Sequence, residues 1–261
     1  MTNHRQKKHP LGLVSVTFRH LASAEILRLA RNNGLEAIEW GGDVHVPHGD
    51  LARALEVGRL TKKAGLNVVS YGSYYRLGVS EAEGLSFKEV LRTAETLCAP
   101  VIRVWAGNMG SDVADEHAWQ RVLEDGKRVA ELAGKLGISV SLEFHGNTLN
   151  DTPDAARRLW KELEHTPLLS LWQPLPTLNR SLQDKSLTVV LPRLSHVHVF
   201  QWRPGPPVTR HPLAEGRGEW SDWFSEIRSS GREIPVLLEF VENDDPGVMS
   251  SEVATLRELI P

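Results

Sequence analysis

Six polar or charged side chains that could take part in chemistry are embedded in apolar, β-branched runs of this chain. They are Glu39 in AIEWG, Arg103 in VIRVW, Glu143 in SLEFH, Gln173 in LSLWQ, His198 in HVHVF and Glu239 in VLLEF. Ionised side chains in such surroundings must be paired, neutralised or bound to a metal ion. Two carboxylates, an imidazole and an amide oxygen, without sulfur, suit Mn²⁺, Mg²⁺, Co²⁺ or Zn²⁺. The candidate ligands are Glu143, Gln173, His198 and Glu239.

These runs alternate regularly with longer segments of helical spacing along the 261 residues. Eight strands are predicted, over Leu13–Thr17, Ala37–Trp40, Asn67–Tyr71, Val101–Trp105, Ile138–Phe144, Leu168–Trp172, Ser195–Phe200 and Val236–Phe240. Eight helices are predicted, over Ala22–Asn33, Asp50–Ala64, Phe87–Leu97, Asp115–Leu136, Pro153–Glu164, Leu182–Leu191, Trp220–Ser229 and Ser250–Leu259. Eight consecutive βα units predict an α/β fold, a (β/α)8 TIM barrel.

We expect one domain over residues 1–261, with residues 1–10 as a loose N-terminal tail. The alternative fold, a doubly wound sheet, is disfavoured because no G-x-G-x-x-G follows the first strand. In a barrel, the active site lies at the C-terminal ends of the strands.

Alternation along each strand separates side chains that face the barrel axis from those that face the helices. In the fifth strand the apolar residues alternate with Glu143 and His145, which therefore face inward. In the seventh strand His198 faces inward, and in the eighth Glu239 faces inward while Phe240 faces outward. The candidate ligands are thus expected to meet at the mouth of the barrel.

A buried salt-bridge network is the other interpretation of the same residues. Arg103 could neutralise one carboxylate, and His198 could be a core histidine with satisfied hydrogen bonds. Four candidate ligands at the same level of consecutive strands favour a metal site over this network.

The composition limits the classes of function. Thirty basic and 33 acidic residues give a formal net charge of −3, which argues against nucleic acid or an anionic membrane as a partner. A single cysteine, Cys98, excludes an internal disulfide and a cysteine-based zinc cluster. Because the chain has neither a signal-like apolar core near its start nor a run of about 18 apolar residues, we expect a cytoplasmic protein. Of eight tryptophans, only Trp105 and Trp202 are expected to face the mouth, where a flat ring could stack on a sugar.

Five short motifs, in their order and spacing, make the chain similar to a known family. They are AIEWGGDVHVPHGD, SLEFHGNTL, HVHVF, EGRGEW and VLLEFV, and the similarity extends from Leu13 to the C-terminus. The chain resembles the xylose isomerase-like TIM barrels that act as sugar phosphate isomerases and epimerases, including tagatose- and psicose-type 3-epimerases. In that family Glu, Asp, His and Glu, from strands five to eight, hold a metal ion.

Three of these four positions match the family and one departs from it. Glu143, His198 and Glu239 match the first, third and fourth ligands, whereas Gln173 stands where the family usually has Asp. The amide oxygen of Gln can still ligate, but the exchange removes one negative charge. We therefore expect weaker metal affinity, a different metal preference, or an altered or metal-free site.

The resemblance implies a metal-dependent isomerase or epimerase of a sugar or sugar phosphate. Such an enzyme removes a proton from a carbon next to a carbonyl, and the metal stabilises the enediolate. Glu143 and Glu239 correspond to the base and the acid on opposite faces of the sugar. Six residues are expected to bind the substrate: His45, Arg103, Trp105, His145, Trp202 and Arg217.

Gln173 also keeps other functions open. One alternative is a catalytically altered or non-catalytic barrel that binds a sugar or polyol, and another is a related lyase or dehydratase with a similar site. A nuclease like AP endonuclease IV, of the same superfamily, is disfavoured because it needs Asp on the sixth strand and His soon after, where Gln173, Pro174 and Pro176 stand. The expected partners are a small sugar and, since relatives are often dimers or tetramers, a second copy of the chain.

Overall fold

A computed structural model describes residues 9–260 of the chain. Its centre is a closed barrel of eight parallel strands, β1 (Leu11–Val14), β2 (Ala37–Gly41), β3 (Asn67–Arg76), β4 (Val101–Trp105), β5 (Ser139–Glu143), β6 (Leu169–Trp172), β7 (Leu194–Val199) and β10 (Val236–Leu238). Neighbouring strands pair in chain order, and β10 closes the ring on β1 with Leu13 opposite Leu238. The predicted (β/α)8 TIM barrel is confirmed.

Eight helices alternate with these strands: α1 (Ser23–Asn32), α2 (Leu51–Lys63), α3 (Phe87–Leu97), α4 (Glu116–Gly134), α5 (Pro153–Glu162), α6 (Arg180–Val190), α7 (Arg217–Ser229) and α8 (Met249–Leu259). Short 3₁₀ turns lie at Ser15–Phe18, Leu191–Arg193, Leu213–Gly216, Glu242–Asp244 and Pro246–Val248. A feature that the sequence pattern did not predict is an antiparallel hairpin of β8 (Gln201–Arg203) and β9 (Thr209–His211), inserted after β7. Across residues 9–260, no helix is both long enough and apolar enough to cross a membrane.

Local signals explain where several helices begin and end. The side chain of Asp115 accepts a hydrogen bond from the backbone N–H of Ala118 at 2.8 Å, and Thr152 accepts from Ala155 at 3.2 Å. Such N-caps each stabilise a helix by about 1 kcal/mol. Beyond the end of α4, Gly137 has φ of +68°, a conformation that suits glycine and turns the chain toward β5.

Alternation along the strands separates two apolar regions. The larger region lies between the barrel and the helices and includes Trp40 and Trp172. Their indole N–H groups donate to hydroxyls of the helix layer, Trp40 to Thr61 at 3.0 Å and Trp172 to Ser186 at 2.9 Å. A smaller separate cluster lies inside the barrel and consists of Val14, Val16, Ala37 and Leu237.

The start of the described chain is fixed to the barrel. His9 is 5% exposed, and its Nδ1 accepts a hydrogen bond from the backbone N–H of Ile234 at 3.1 Å. The carbonyl of Pro10 accepts from the N–H of Val236 at 2.9 Å. These two residues differ from the loose tail expected for residues 1–10, because they extend β1 backward against the strand that closes the barrel. The rest of that expectation lies outside the described residues.

Two departures from regular strand geometry bring additional side chains to the mouth. The register of β3 against β4 shifts between Gly72 and Tyr75, and Tyr74 has φ of +55°. At the other side of the barrel, β10 ends at Leu238 and Phe240 has φ of +49°. The expectation that Phe240 faces the helices is therefore wrong, because strand alternation has already ended two residues earlier.

Candidate active site

The mouth of the barrel holds a cavity of about 230 Å³, and seven of the residues predicted for the site line it. The residues from the sequence analysis are Arg103, Trp105, Glu143, His145, Gln173, Trp202 and Glu239. His198 lies beneath them and is fully buried. Four strands and one hairpin thus bring together residues that span 137 positions in the chain.

Glu143, at the end of β5, is held by three donors. Arg103 Nη1 and Trp105 Nε1 both donate to its Oε2, and Gln173 Nε2 donates to its Oε1 at 2.8 Å. Burial raises the pKa of the Glu143 carboxyl, but Arg103, the two nearby histidines and the Trp105 hydrogen bond together outweigh burial, and the pKa is lowered overall. Glu143 is consequently stabilised as a carboxylate.

Arg103 is the central cation of the site. Its Nε donates to Glu39 Oε1 at 2.9 Å while its Nη1 contacts Glu143, and its guanidinium carbon lies 4.7 Å from the centre of the Tyr74 ring. Burial opposes ionisation of Glu39, but attraction to Arg103 and His198 outweighs burial and holds the pKa of Glu39 well below its usual range. The salt-bridge network expected as the alternative is thus present around Arg103, and it continues through Glu39 to His196 and His198.

His198, on β7, lies between two carboxylates. Its Nε2 is 3.4 Å from Glu39 Oε2, and its Nδ1 is 3.2 Å from Glu239 Oε2. The Nδ1 contact falls outside hydrogen-bond geometry, so this buried nitrogen has no hydrogen bond to any part of residues 9–260. Burial lowers the pKa of His198, but Glu239 and Glu39 outweigh burial and raise it to about 10.

One group of side chains below the mouth has ligand atoms close enough for a metal ion. The ligand atoms of Glu39, His196 and His198 lie within 4.8 Å of one another, and all three residues are buried. His196 is nevertheless satisfied by protein groups, since its Nε2 is 3.0 Å from Glu39 Oε2 and its Nδ1 is 2.8 Å from Ser195 Oγ. Because Arg103 also contacts Glu39, this triad is already neutralised from within.

A second group of possible ligand atoms, on His198, Glu239 and Gln173, lies closer to the mouth. With His198 protonated, the charges of Glu39, Glu143, Glu239, Arg103 and His198 sum to −1 in a buried region; loss of the His198 proton would make the sum −2, which one divalent ion would cancel. Two ligands that bind one ion at roughly 2.1 Å and near a right angle are about 3 Å apart. The contact between His198 Nδ1 and Glu239 Oε2 has this separation. Gln173 Oε1, which accepts no hydrogen bond within residues 9–260, could be a third ligand.

Two expected substrate contacts lie elsewhere. His45 is 2% exposed, and its ring nitrogens contact Ser15 Oγ at 3.1 Å and the carbonyl of Leu21 at 3.2 Å. It does not line the mouth cavity, because the loop that carries it folds back over the end of β1. The expected role of His45 in substrate binding is therefore corrected to that of a loop-fixing residue.

Arg217 begins α7 and faces α8 rather than the mouth. Its guanidinium contacts Glu258 and, at 3.5 Å, Thr255 Oγ1. The expectation of a substrate contact from the EGRGEW motif is corrected accordingly. The motif leads into the first turn of α7, which lies outside the barrel. The β8–β9 hairpin that precedes the motif carries Trp202 to the mouth.

The aromatic walls of the cavity agree with the expectation for Trp105 and Trp202. The Trp105 ring stacks on His145, with centroids 4.8 Å apart and planes at 27°. Trp202, on β8, lies 4.4 Å from Phe200 and 5.5 Å from Phe240. The cavity therefore has flat apolar sides above a charged floor.

Sequence patterns missed six lining residues, Arg19, Tyr74, Leu175, Pro176, Phe200 and Phe240. Arg19 follows the 3₁₀ turn after β1 and donates to Asp43 at 2.7 Å and to the Tyr74 hydroxyl at 2.9 Å. Tyr74 and Phe240 have positive φ, which reverses the side expected from alternation. Of these residues, only Tyr74 had a signal in the sequence. It lies in the tyrosine-rich run SYGSYYR, which extends the third strand beyond its predicted end at Tyr71.

The parallel eight-stranded barrel carries carboxylate, histidine and amide side chains at the C-terminal ends of its strands, where the active sites of TIM-barrel enzymes lie. The model of the xylose isomerase-like TIM barrel family matches residues 27–259. The chain belongs to this family.

Known relatives and structures indicate the range of the family. The chain is 26% identical over 275 residues to a 3-dehydroshikimate dehydratase of Bacillus anthracis, covering 94% of this chain and 95% of the relative. The crystal structure of the probable 3-DHS dehydratase AsbF from Bacillus anthracis has a TM-score of 0.76 at 20% identity and covers 96% and 98% of the two chains.

Other solved structures share the fold. A xylose isomerase-like TIM barrel protein from Mycobacterium smegmatis, in complex with magnesium, has a TM-score of 0.72 at 16% identity and covers 100% of this chain and 98% of its own. A D-allulose 3-epimerase and a D-psicose 3-epimerase also match the fold. Members of this family are thus enzymes of more than one reaction type, which act on small molecules.

Proposed function

We propose that this protein is a lyase that dehydrates a small hydroxy ketone after removing a proton from the carbon next to the carbonyl. The observation that carries the proposal is the unequal environment of the two carboxylates at the mouth. Glu143 accepts hydrogen bonds on both oxygens, whereas the charged contact of Glu239 within residues 9–260 is with His198 alone. Dehydration needs one base, whereas two-residue epimerisation needs two groups that exchange protons.

Glu239 is the base in this proposal. Its carboxylate takes the proton from the carbon next to the carbonyl, and the electron pair of the C–H bond moves toward the carbonyl oxygen. The electron pair then returns to form the carbon–carbon double bond as the bond to the hydroxyl on the adjacent carbon breaks. Glu239 passes its proton to the departing hydroxyl, which leaves as water and regenerates the carboxylate.

We also infer that a divalent cation is held by Glu143, Gln173, His198 and Glu239. His198 Nδ1 and Glu239 Oε2 are adjacent without a hydrogen bond, and Glu143 Oε1 retains a lone pair beside the Gln173 amide. When bound, such an ion polarises a carbonyl and stabilises negative charge on its oxygen. The magnesium complex of the Mycobacterium smegmatis protein supports this assignment.

The dimensions and walls of the mouth support a flat, ring-shaped substrate. A volume of about 230 Å³ accommodates a single six-membered ring with its substituents, and Trp105 and Phe240 offer flat surfaces to it. The relative that is 26% identical over nearly the whole chain is a 3-dehydroshikimate dehydratase, and 3-dehydroshikimate is a cyclic ketone with hydroxyl groups. This similarity favours 3-dehydroshikimate as the first substrate to test.

The test is an NMR time course of Mn²⁺-loaded protein in D₂O. With 3-dehydroshikimate we expect deuterium to enter next to the carbonyl and a dehydrated aromatic product to accumulate. Glu239→Gln should lose both signals. Glu252→Gln is its matched control, because Glu252 is also a buried carboxylate, 5% exposed, but does not line the mouth. Absence of both exchange and dehydration would overturn the proposal for this substrate.

Epimerisation of a ketohexose is the second candidate. It is supported by the fact that Glu143 and Glu239 both line the same cavity and by the two 3-epimerases that share the fold. D-Tagatose in the same D₂O experiment would then gain deuterium and invert at the carbon next to its carbonyl. Binding of either ketone with no exchange would instead favour a non-catalytic binding protein.

A further inference from the structure

A second cavity, of about 570 Å³, adjoins the mouth on the side of β3, β4 and β5. It is lined by the end of β3, the loop 106–113 and the loop 146–148. Trp105 and His145 line both cavities, and their stacked rings form a common wall. The second cavity, more than twice as large, is thus separated from the mouth by the thickness of these two rings.

Arg76 is the cation of this second cavity. Its guanidinium carbon lies 5.4 Å from the centre of the Trp105 ring, and no carboxylate within residues 9–260 lies in ion-pair distance of it. In contrast, Arg19 and Arg103 at the mouth are paired with Asp43 and Glu39. An arginine without a counter-ion beside a cavity is a ready partner for an anionic ligand, since its planar fork matches an oxyanion.

The other residues that line the cavity also favour a negatively charged ligand. The residues around the cavity are Arg76, Trp105, Gly107, Asn108, Met109, Gly110, Val113, His145, Gly146, Asn147 and Thr148, and none of them is acidic. Asn108 and Asn147 have side-chain amides that can donate to an anion. The carboxylates of Asp112 and Asp151 lie next to Gly110, but neither is in ion-pair distance of Arg76, so the amide donors and this unpaired cation favour an oxyanion over a cationic group.

We propose that the cavity beside Arg76 is a subsite for an oxyanion-bearing part of the substrate, with Arg76 as the residue that selects for it. The inference rests on the proposed function only in taking the mouth as the place where the substrate reacts. The oxyanion is either a carboxylate or a phosphate, and the chemistry of recognition by Arg76 is common to both.

The test compares ligands that differ in charge. Calorimetric titration of Mn²⁺-loaded protein uses D-tagatose and D-tagatose 6-phosphate, which differ only by the phosphate, and 3-dehydroshikimate, which carries a carboxylate. Arg76→Gln is compared with wild type and with Arg158→Gln, a control in which Arg158 lies 4.0 Å over Trp119 on the helix layer. Binding needs no turnover, so failure of the proposed dehydration leaves this measurement readable.

We expect Arg76→Gln to weaken at least one anionic ligand about ten- to a hundredfold, the effect of losing a charge-assisted hydrogen bond. D-Tagatose affinity and the Arg158→Gln control should stay within about twofold of wild type. The anionic ligand that is weakened identifies the group as phosphate or carboxylate. Equal affinity of Arg76→Gln and wild type for both anionic ligands, or no binding of either to wild type, would overturn the proposal.

Discussion

Glu143 and Glu239 are the same residue type at the same mouth, but their surroundings differ. Glu143 is bound by Arg103, Trp105 and Gln173, and its pKa is lowered because Arg103 and its other partners together outweigh burial. Within residues 9–260, Glu239 has one ion-pair contact, with His198. One carboxylate is thus held by three donors in the floor of the mouth, while the other has an ion-pair contact with His198.

Glu239→Gln should have the largest effect on this comparison. The amide cannot accept a proton, so dehydration and proton exchange should fall by roughly a thousandfold, within the range that general bases contribute. The rate of solvent deuterium incorporation measures the loss, with Glu252→Gln as the control for removing a buried carboxylate. Activity within tenfold of wild type would show that Glu239 is not the base.

Arg103→Met should have the next largest effect, on stability. It leaves Glu39 and Glu143 buried without their cation, which we expect to lower the free energy of unfolding by about 3–5 kcal/mol. Urea denaturation measures this, and Arg128→Met is the control because its partly exposed ion pairs should contribute no more than about 1 kcal/mol. Similar losses in the free energy of unfolding in both variants would contradict a structural role for the contacts of Arg103 with Glu39 and Glu143.

Trp105→Phe tests a single donor to Glu143. The ring can still stack on His145, but the N–H to Glu143 is lost, which should lower the free energy of unfolding by about 2 kcal/mol. Trp202→Phe is the matched control, since Trp202 Nε1 is buried without a hydrogen-bond partner in residues 9–260 and should be missed little. An equal effect of the two substitutions in thermal unfolding would argue against the Trp105 bond.

Gln173→Asp should have the smallest effect. It changes the charge next to Glu143 and the charge of the ligand set to which Glu239 belongs. It adds a negative charge next to Glu143 and removes the amide donor at 2.8 Å, so the metal-free protein should become less stable. Metal affinity should rise about tenfold, equivalent to about 1.4 kcal/mol, because a third full charge joins the ligand set. Competition with a chromophoric chelator measures it, with exposed Gln120→Asp as control. Unchanged affinity would place the cation away from Gln173.

The predictability of the site varied with local geometry. Glu143, Gln173 and Glu239 were found from the sequence because regular alternation holds through β5, β6 and most of β10. Tyr74 and Phe240 were missed because positive φ breaks that alternation. His45 and Arg217 were assigned from family-like motifs, whereas loop folding and the helix layer set their actual neighbours.

The sequence by itself determined the barrel, since eight alternating apolar runs and helical segments have few other ways to bury their surfaces. It also determined which strand ends carry the polar side chains. Only the tertiary structure decided how these side chains divide their partners, because Arg103 reaches residues 64 and 40 positions away in the chain. Charged side chains interact according to their distance in space rather than in sequence. This is why Glu143 is held by three donors whereas Glu239 is paired with His198.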